Sequence, residues 1–233
     1  MGEKQSQNPG IEQSKKSAAL KAVSYIEQKM IVGLGTGSTV YFALEELGRR
    51  VAQGLQIKGV PTSGKTELLA KKFNIPVYYD FERIDVTIDG ADEVDFNGNL
   101  IKGGGGALTR EKIVASASEK VIIIVDHTKL VEQLGAFPLP VEILPFGMKS
   151  TQKQLQSLGC EVQLRKKNGQ IFTTDNQNYI CDCKFKHIKD AESLARQINA
   201  IPGVVENGLF VGMADLIVTG YPDGTVKEQP FPH

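Results

Sequence analysis

The chain has 233 residues, 41% of them hydrophobic and 23% charged, which is ordinary for a globular protein and enough for one large packed domain or two small ones. Lysine plus arginine and aspartate plus glutamate both number 27, so the formal net charge is zero. That balance argues against a general nucleic-acid binder, which is usually basic, but leaves room for a local basic pocket that takes a phosphate.

The spacing of Ala18, Leu20, Ala22, Val23, Tyr25 and Ile26 predicts a helix over residues 11–28. A buried strand at 30–34 and a Gly/Thr/Ser loop follow. Next come a helix at 41–51, a strand at 55–60, a helix at 67–73, strands at 75–79 and 86–88, a helix at 110–118 and an apolar strand at 121–125. Strands alternating with helices imply α/β architecture: a Rossmann-like wound, mostly parallel sheet. Near Pro138-Leu139-Pro140 the pattern changes. Strands at 141–144 and 160–165 flank a helix at 149–158, Asn168-Gly169 signals a hairpin, and a strand at 179–185 precedes a helix at 191–198. A second, smaller α+β (ferredoxin-like) domain is therefore expected at 137–205, with the wound catalytic domain at 1–136 plus 206–233. The apolar runs 208–211 and 215–218 are expected to return to the main sheet, and the Pro/Gly-rich tail from Tyr221 to be loosely held.

Cys160, Cys181 and Cys183 show no CxxC spacing, which fits a reducing compartment and no structural zinc. The stretch from Met1 to Ser14 is polar and no apolar run approaches the ~20 residues needed to span a membrane. A cytoplasmic protein without membrane or nucleic-acid partners is expected.

Four loops follow predicted strands: Gly35–Thr39, Thr62–Thr66, Asp89–Asp92 and Asp126–Lys129. In open parallel sheets ligands bind outside the carboxyl ends of strands, so all four are candidates for one crevice. In the first, Gly33, Gly35 and Ser38 give G-x-G-x-x-S, which lacks the third glycine of a dinucleotide fingerprint and its later acidic residue. A phosphate cradle fits better, made of glycine N–H groups, the Ser38 and Thr39 hydroxyls and the start of the next helix. A plain helix cap is the alternative. Gly59–Thr66 matches the nucleotide-binding pattern G-x-x-x-x-G-K-[ST] in full, yet it sits on the second strand and explains neither the first glycine loop nor the acidic segment described next. A calcium loop at Asp95-Phe96-Asn97-Gly98 fails because Glu93 and Gly104 would hold the first and last ligand positions.

The richest segment is Asp89-Gly90-Ala91-Asp92-Glu93, followed by Lys102-Gly103-Gly104-Gly105-Gly106 and Glu111. Carboxylates move protons, glycines let backbone N–H groups approach a ligand, and a lysine neutralises developing negative charge. An acidic loop exposed to water is the bland alternative, but four successive glycines would destabilise an ordinary connection.

As a set, Gly33-Leu34-Gly35-Thr36-Gly37-Ser38-Thr39, Asp89–Glu93, Lys102–Ala107 and Thr109-Arg110-Glu111-Lys112 resemble the signatures of type A ribose-5-phosphate isomerases. Phe137–Glu142 and Ile201–Val205 extend the resemblance, which runs from about Lys15 to Gly224. It implies interconversion of ribose 5-phosphate and ribulose 5-phosphate with no cofactor and no metal. It also implies a small-molecule sugar phosphate as partner and a homodimer or homotetramer as assembly. Carried onto this chain, Glu111 corresponds to the general base, and Asp89, Asp92 and Lys102 to the groups lining the reacting centre. Thr36, Gly37, Ser38, Thr39, Gly90, Ala91, Gly103, Gly104, Gly105 and Lys129 correspond to substrate-binding positions, and Lys15 to a phosphate-contacting lysine. The resemblance gives the Gly64-Lys65-Thr66 turn no nucleotide role. A catalytically silent sugar-phosphate sensor and a P-loop enzyme are the competing classes. An early helical position and Lys102 both favour ionised Glu111, whereas a base works best nearer the ambient pH, so Glu111 is expected to be shielded from bulk water.

Overall fold

A computed structural model describes residues 9–231; the polar start before Pro9 and the last two residues lie outside the described part. The first half of the chain alternates regularly: α1 (Pro9–Val23), β1 (Ile31–Leu34), α2 (Ser38–Ala52), β2 (Lys58–Pro61), α3 (Gly64–Lys72) and β3 (Val86–Asp89). Two short strands, β4 (Glu93–Val94) and β5 (Leu100–Ile101), precede α4 (Leu108–Ser116), β6 (Val121–Asp126) and a single 3-10 turn (His127–Lys129). Then come β7 (Leu139–Ile143), α5 (Met148–Gln156), β8 (Glu161–Leu164), β9 (Lys166–Lys167), β10 (Gln170–Ile171) and β11 (Tyr179–Lys184). The chain closes with α6 (Ala191–Asn199), β12 (Val204–Asn207), β13 (Leu209–Phe210), β14 (Leu216–Gly220) and β15 (Val226–Pro230).

These elements fall into two compact units. The first holds residues up to 90, 114–129 and from 214 onward; the second holds 91–113 and 130–213. Relative to the expected division at 136/137 and 205/206, residues 91–113, 130–136 and 206–213 fall in the second unit, in part because β4, β5 and β13 form one three-stranded antiparallel sheet.

The first unit is a six-stranded sheet ordered β15-β14-β6-β3-β1-β2, parallel throughout except for β15. Its central strands read as continuous apolar runs because both faces are covered: all six residues of β6 are buried. Ala18, Ala22, Leu44, Leu47, Val32, Ile88 and Ile124 belong to its main core, and Val60, Ile84 and Val114 to a second cluster. The strand order reverses at β1, which pairs with β2 on one side and β3 on the other. That reversal is the place where a wound sheet opens a ligand crevice.

Three expectations are corrected here. Of the two late apolar runs only β14 joins the main sheet; β13 pairs with β5 in the second unit instead. The tail is not loose, since β15 pairs along its whole length with β14, from Val226 opposite Gly220 to Pro230 opposite Leu216. A strand with no fully buried residue and no apolar run can still be held by ladder hydrogen bonds at a sheet edge. The strand expected at 75–79 shrinks to a single bridge between Val77 and Gly59.

The second unit's larger sheet has four strands ordered β12-β7-β11-β8, all antiparallel. Leu139, Val141, Ile143, Leu155, Cys160, Cys181, Cys183 and Ile198 build its core. The three thiols are buried packing groups, and burial pushes the Cys181 thiol up to about 11, far from thiolate chemistry. Asn168 and Gly169 take φ of 53° and 80°, the paired positive values of a two-residue hairpin turn, between β9 and β10.

Candidate active site

In the first unit, the carboxyl ends of β1 and β3 carry the groups singled out in the sequence. Asp89 is buried, and its Oδ1 accepts hydrogen bonds from the Thr36 N–H (3.0 Å) and the Gly90 N–H (2.7 Å). Gly35 is required between them: a Cβ there would stand 2.1 Å from Asp89 Oδ1 and 2.6 Å from Asp89 Cα. Gly37, at φ 135°, precedes α2 without any capping side chain, so first-turn N–H groups of that helix are left for a ligand. Lys15 reaches from α1 to the same turn, with Nζ donating to Ser38 Oγ at 3.0 Å. An ammonium beside an uncapped helix N-terminus is suited to a dianionic phosphate. Thr39 is buried at the start of α2. Lys129 is half-buried in the 3-10 turn after β6, a turn closed by Asp126 accepting from the Thr128 backbone N–H and hydroxyl.

The P-loop pattern resolves into a supporting role. Strand β2 runs through Pro61 and α3 begins at Gly64, so only Thr62 and Ser63 lie between them, too short a span to wrap a triphosphate. Their hydroxyls, with that of Thr66, turn inward. Thr36 Oγ1 lies 2.8 Å from both Thr62 Oγ1 and Ser63 Oγ and 3.1 Å from Thr66 Oγ1. Thr66 Oγ1 donates to the Gly35 carbonyl (2.8 Å) and Thr62 Oγ1 to the Leu34 carbonyl (3.1 Å). The hydroxyl that would hold Mg²⁺ in a nucleotide site instead braces the glycine loop after β1.

In the second unit, Lys102 and Glu111 form a buried ion pair. Lys102 Nζ stands 3.4 Å from Glu111 Oε2, and each residue is 3% exposed. Lys102 leaves the end of β5, where its N–H donates to the Gly208 carbonyl at 2.9 Å. Glu111 sits in the first turn of α4. Burial disfavours its charge, while the ammonium and the helix N-terminus favour it, so the carboxylate is held between opposing effects. The Lys102 ammonium also lies 5.3 Å from the Phe210 ring centroid, and that of Lys112 4.9 Å from it. Asp92 is committed locally, its Oδ2 accepting from the Gly104 N–H at 2.7 Å.

A family profile described as ribose 5-phosphate isomerase A (phosphoriboisomerase A) matches residues 58–224. The chain belongs to the ribose 5-phosphate isomerase A family. It is 53% identical over 208 residues to a ribose-5-phosphate isomerase A of Gloeobacter violaceus, covering 88% of this chain and 90% of the relative. Among solved structures it matches the ribose 5-phosphate isomerase from Plasmodium falciparum with a TM-score of 0.91 at 43% identity, covering 94% of this chain and 98% of the other. It matches equally well, with a TM-score of 0.91 at 41% identity, a D-ribose-5-phosphate isomerase in complex with phospho-erythronic acid, covering 94% of this chain and 99% of the other.

Two carboxylates inside the ribose 5-phosphate isomerase A motifs are supports, a role that their residue types do not reveal. Glu93, the last residue of the acidic segment, is buried and accepts from the Gly135 N–H (2.7 Å) and the Phe137 N–H (2.5 Å), so it fastens the turn before β7. Glu142, fully buried in β7, accepts from Thr109 Oγ1 (2.5 Å), Thr174 Oγ1 (2.9 Å), Asn178 Nδ2 (2.9 Å) and Asn176 Nδ2 (3.2 Å). Through Thr109 it anchors the first turn of α4, two residues before Glu111. A buried carboxylate with four donors is a satisfied structural group.

Proposed function

We propose that this chain interconverts ribose 5-phosphate and ribulose 5-phosphate by general acid–base catalysis through an enediolate. The observation that carries the proposal is the Lys102–Glu111 pair: a carboxylate 3.4 Å from an ammonium, both shielded from water. Proton abstraction beside a carbonyl needs a base and a cation at the developing oxyanion, and excluding water strengthens both. Glu111 takes the proton from C2 of the open-chain aldose; the C–H pair becomes the C1=C2 bond and O1 takes the negative charge. Lys102 balances that charge. The hydroxyl proton of O2 passes to O1 by way of Asp89, the C2=O2 bond forms, and Glu111 returns its proton to C1. Oxidation of C2 equals reduction of C1, so no external electron acceptor enters.

Lys15, Ser38, Thr39 and the N–H groups at the start of α2 serve as phosphate contacts, with Lys129 as a further cationic group. Gly90, Ala91 and Gly103–Gly105 serve as backbone contacts to the sugar chain, and Asp92 keeps the glycine loop in place. Phospho-erythronic acid, bound to the solved relative, is a sugar acid whose carboxylate resembles an enediolate in charge and shape, which supports the same reading here. A cytoplasmic location belongs to the proposal, and no described helix is long and apolar enough to cross a membrane. So does assembly as a homodimer or homotetramer, with Leu144 and Phe146, 45% and 92% exposed, as apolar surface for a second copy to cover. The deciding assay is purified protein with ribose 5-phosphate, no nucleotide and no added metal. Ketose should form with turnover, and binding without ketose would leave a sugar-phosphate sensor in its place.

A further inference from the structure

A run of glycines has no side chains to hold it, so hydrogen bonds must set the direction of each peptide plane. In the loop Gly103–Gly106 much of that work falls to one residue distant in sequence. Arg165, just after β8, donates through Nη1 to the Gly103 carbonyl (2.8 Å) and the Gly104 carbonyl (3.2 Å). Its other edge grips Asp182 of β11 with two bonds, Nε to Oδ2 at 3.0 Å and Nη2 to Oδ1 at 2.5 Å. The guanidinium is planar, so fixing one edge fixes the reach of the other. Its own backbone is pinned as well, by Arg165 N–H to the Ile180 carbonyl (2.8 Å) and Phe172 N–H to the Arg165 carbonyl (2.9 Å).

In a trans peptide the C=O and the following N–H point in opposite directions. The bond from Arg165 to the Gly103 carbonyl thus complements the bond from the Gly104 N–H to Asp92 Oδ2. By the same geometry, the bond to the Gly104 carbonyl turns the Gly105 N–H away from Arg165. Gly105 is exposed, and its neighbour Gly106 is locked at φ 84° with Phe172 2.5 Å from where a Cβ would stand.

We propose that Arg165, held by Asp182, is a positioning residue that sets the peptide planes of the glycine loop so that the Gly105 N–H is aimed at an anionic oxygen of the bound substrate. The inference rests on the isomerase reading and goes beyond it, because Arg165 itself touches no reacting atom. Preorganised donors act in this way, and a misplacement of about 1 Å costs on the order of 100-fold in rate.

The test compares wild type with Arg165→Ala, Arg165→Lys and Asp182→Asn for kcat, KM, inhibition by phospho-erythronic acid and melting temperature. The lysine keeps the charge but loses the fork, so both Arg165 variants should lose roughly 10- to 100-fold in kcat, with affinity for the sugar acid falling in parallel. Asp182→Asn should lose less, and KM should change little in all three. Variants that stay folded with wild-type kcat and wild-type inhibition overturn the inference. Wild-type protein with labelled glycine supplies a reading independent of any variant's folding: the Gly105 amide resonance should shift on adding the sugar acid, and no shift overturns it. Absence of turnover in the wild type would instead defeat the isomerase reading.

Discussion

Glu111 sets the chemical expectations at the scale of a residue. It is nearly inaccessible, and its charge is balanced by Lys102 at 3.4 Å. Glu111→Gln keeps the shape and most of the packing but removes the proposed base. Turnover of ribose 5-phosphate should fall by roughly 100- to 10,000-fold while the melting temperature and sugar-acid binding stay near those of the wild type. Near-normal turnover would assign the base to another group. Glu111 and Lys102 stood out in the sequence because their residue types and the glycines beside them already suggest the chemistry. Glu93 shows where that reasoning stops. It belongs to the same acidic run, yet its carboxylate is used up by the Gly135 and Phe137 N–H groups. Composition cannot separate a catalytic carboxylate from one that satisfies buried donors; only the partners do.

At the scale of elements, the β1 and β3 ends work as a pair. Gly35 lets Asp89 fold against the loop, and the hydroxyls of Thr36, Thr62, Ser63 and Thr66 tie that loop to the turn before α3. Gly35→Ala would place a methyl group inside the space of Asp89, whose backbone cannot yield without shifting β3. We expect a loss of about 1–3 kcal/mol in stability, read from denaturant midpoints, and a fall in kcat beyond what unfolding explains. A variant of normal stability and normal kcat would show that the crowding is relieved without moving Asp89. Most helices and long strands were legible from periodicity, as was the Asn168-Gly169 hairpin, because each needs only local sequence. The two-residue strands β4, β5 and β13 were not. A strand that short has no period to read, and it exists because its partners are present.

For the whole molecule, a half-buried ion pair links folding to pH. Lys112 of α4 stands 2.9 Å from Glu206 of β12. Burial pushes the Lys112 ammonium down, despite Glu206 beside it. Burial also pushes the Glu206 carboxyl up, but Lys112, the Asn207 N–H and Asn199 together hold it below its ordinary value of 4.5. A carboxyl with a lowered folded-state value stabilises the fold above its unfolded value and ceases to do so as pH falls through the folded one. The difference in urea midpoint between wild type and Glu206→Gln should therefore be present above the ordinary carboxyl value of 4.5 and shrink as pH falls below it. A difference that stays constant with pH would mean that the pair contributes through packing alone. The sequence by itself determined the alternating α/β plan, the family and the residue types proposed for the reacting centre. These follow from local periodicity and from chemistry that tolerates few substitutes. Tertiary structure decided the rest: that the P-loop pattern braces a neighbouring loop, that the tail closes the sheet edge as β15, and that Arg165 grips the glycine carbonyls. The brace and the Arg165 grip depend on partners distant in sequence, and β15 on a ladder with its neighbour β14 that no apolar pattern announces; in each, the geometry of a hydrogen bond, rather than the identity of the residue, selects the role.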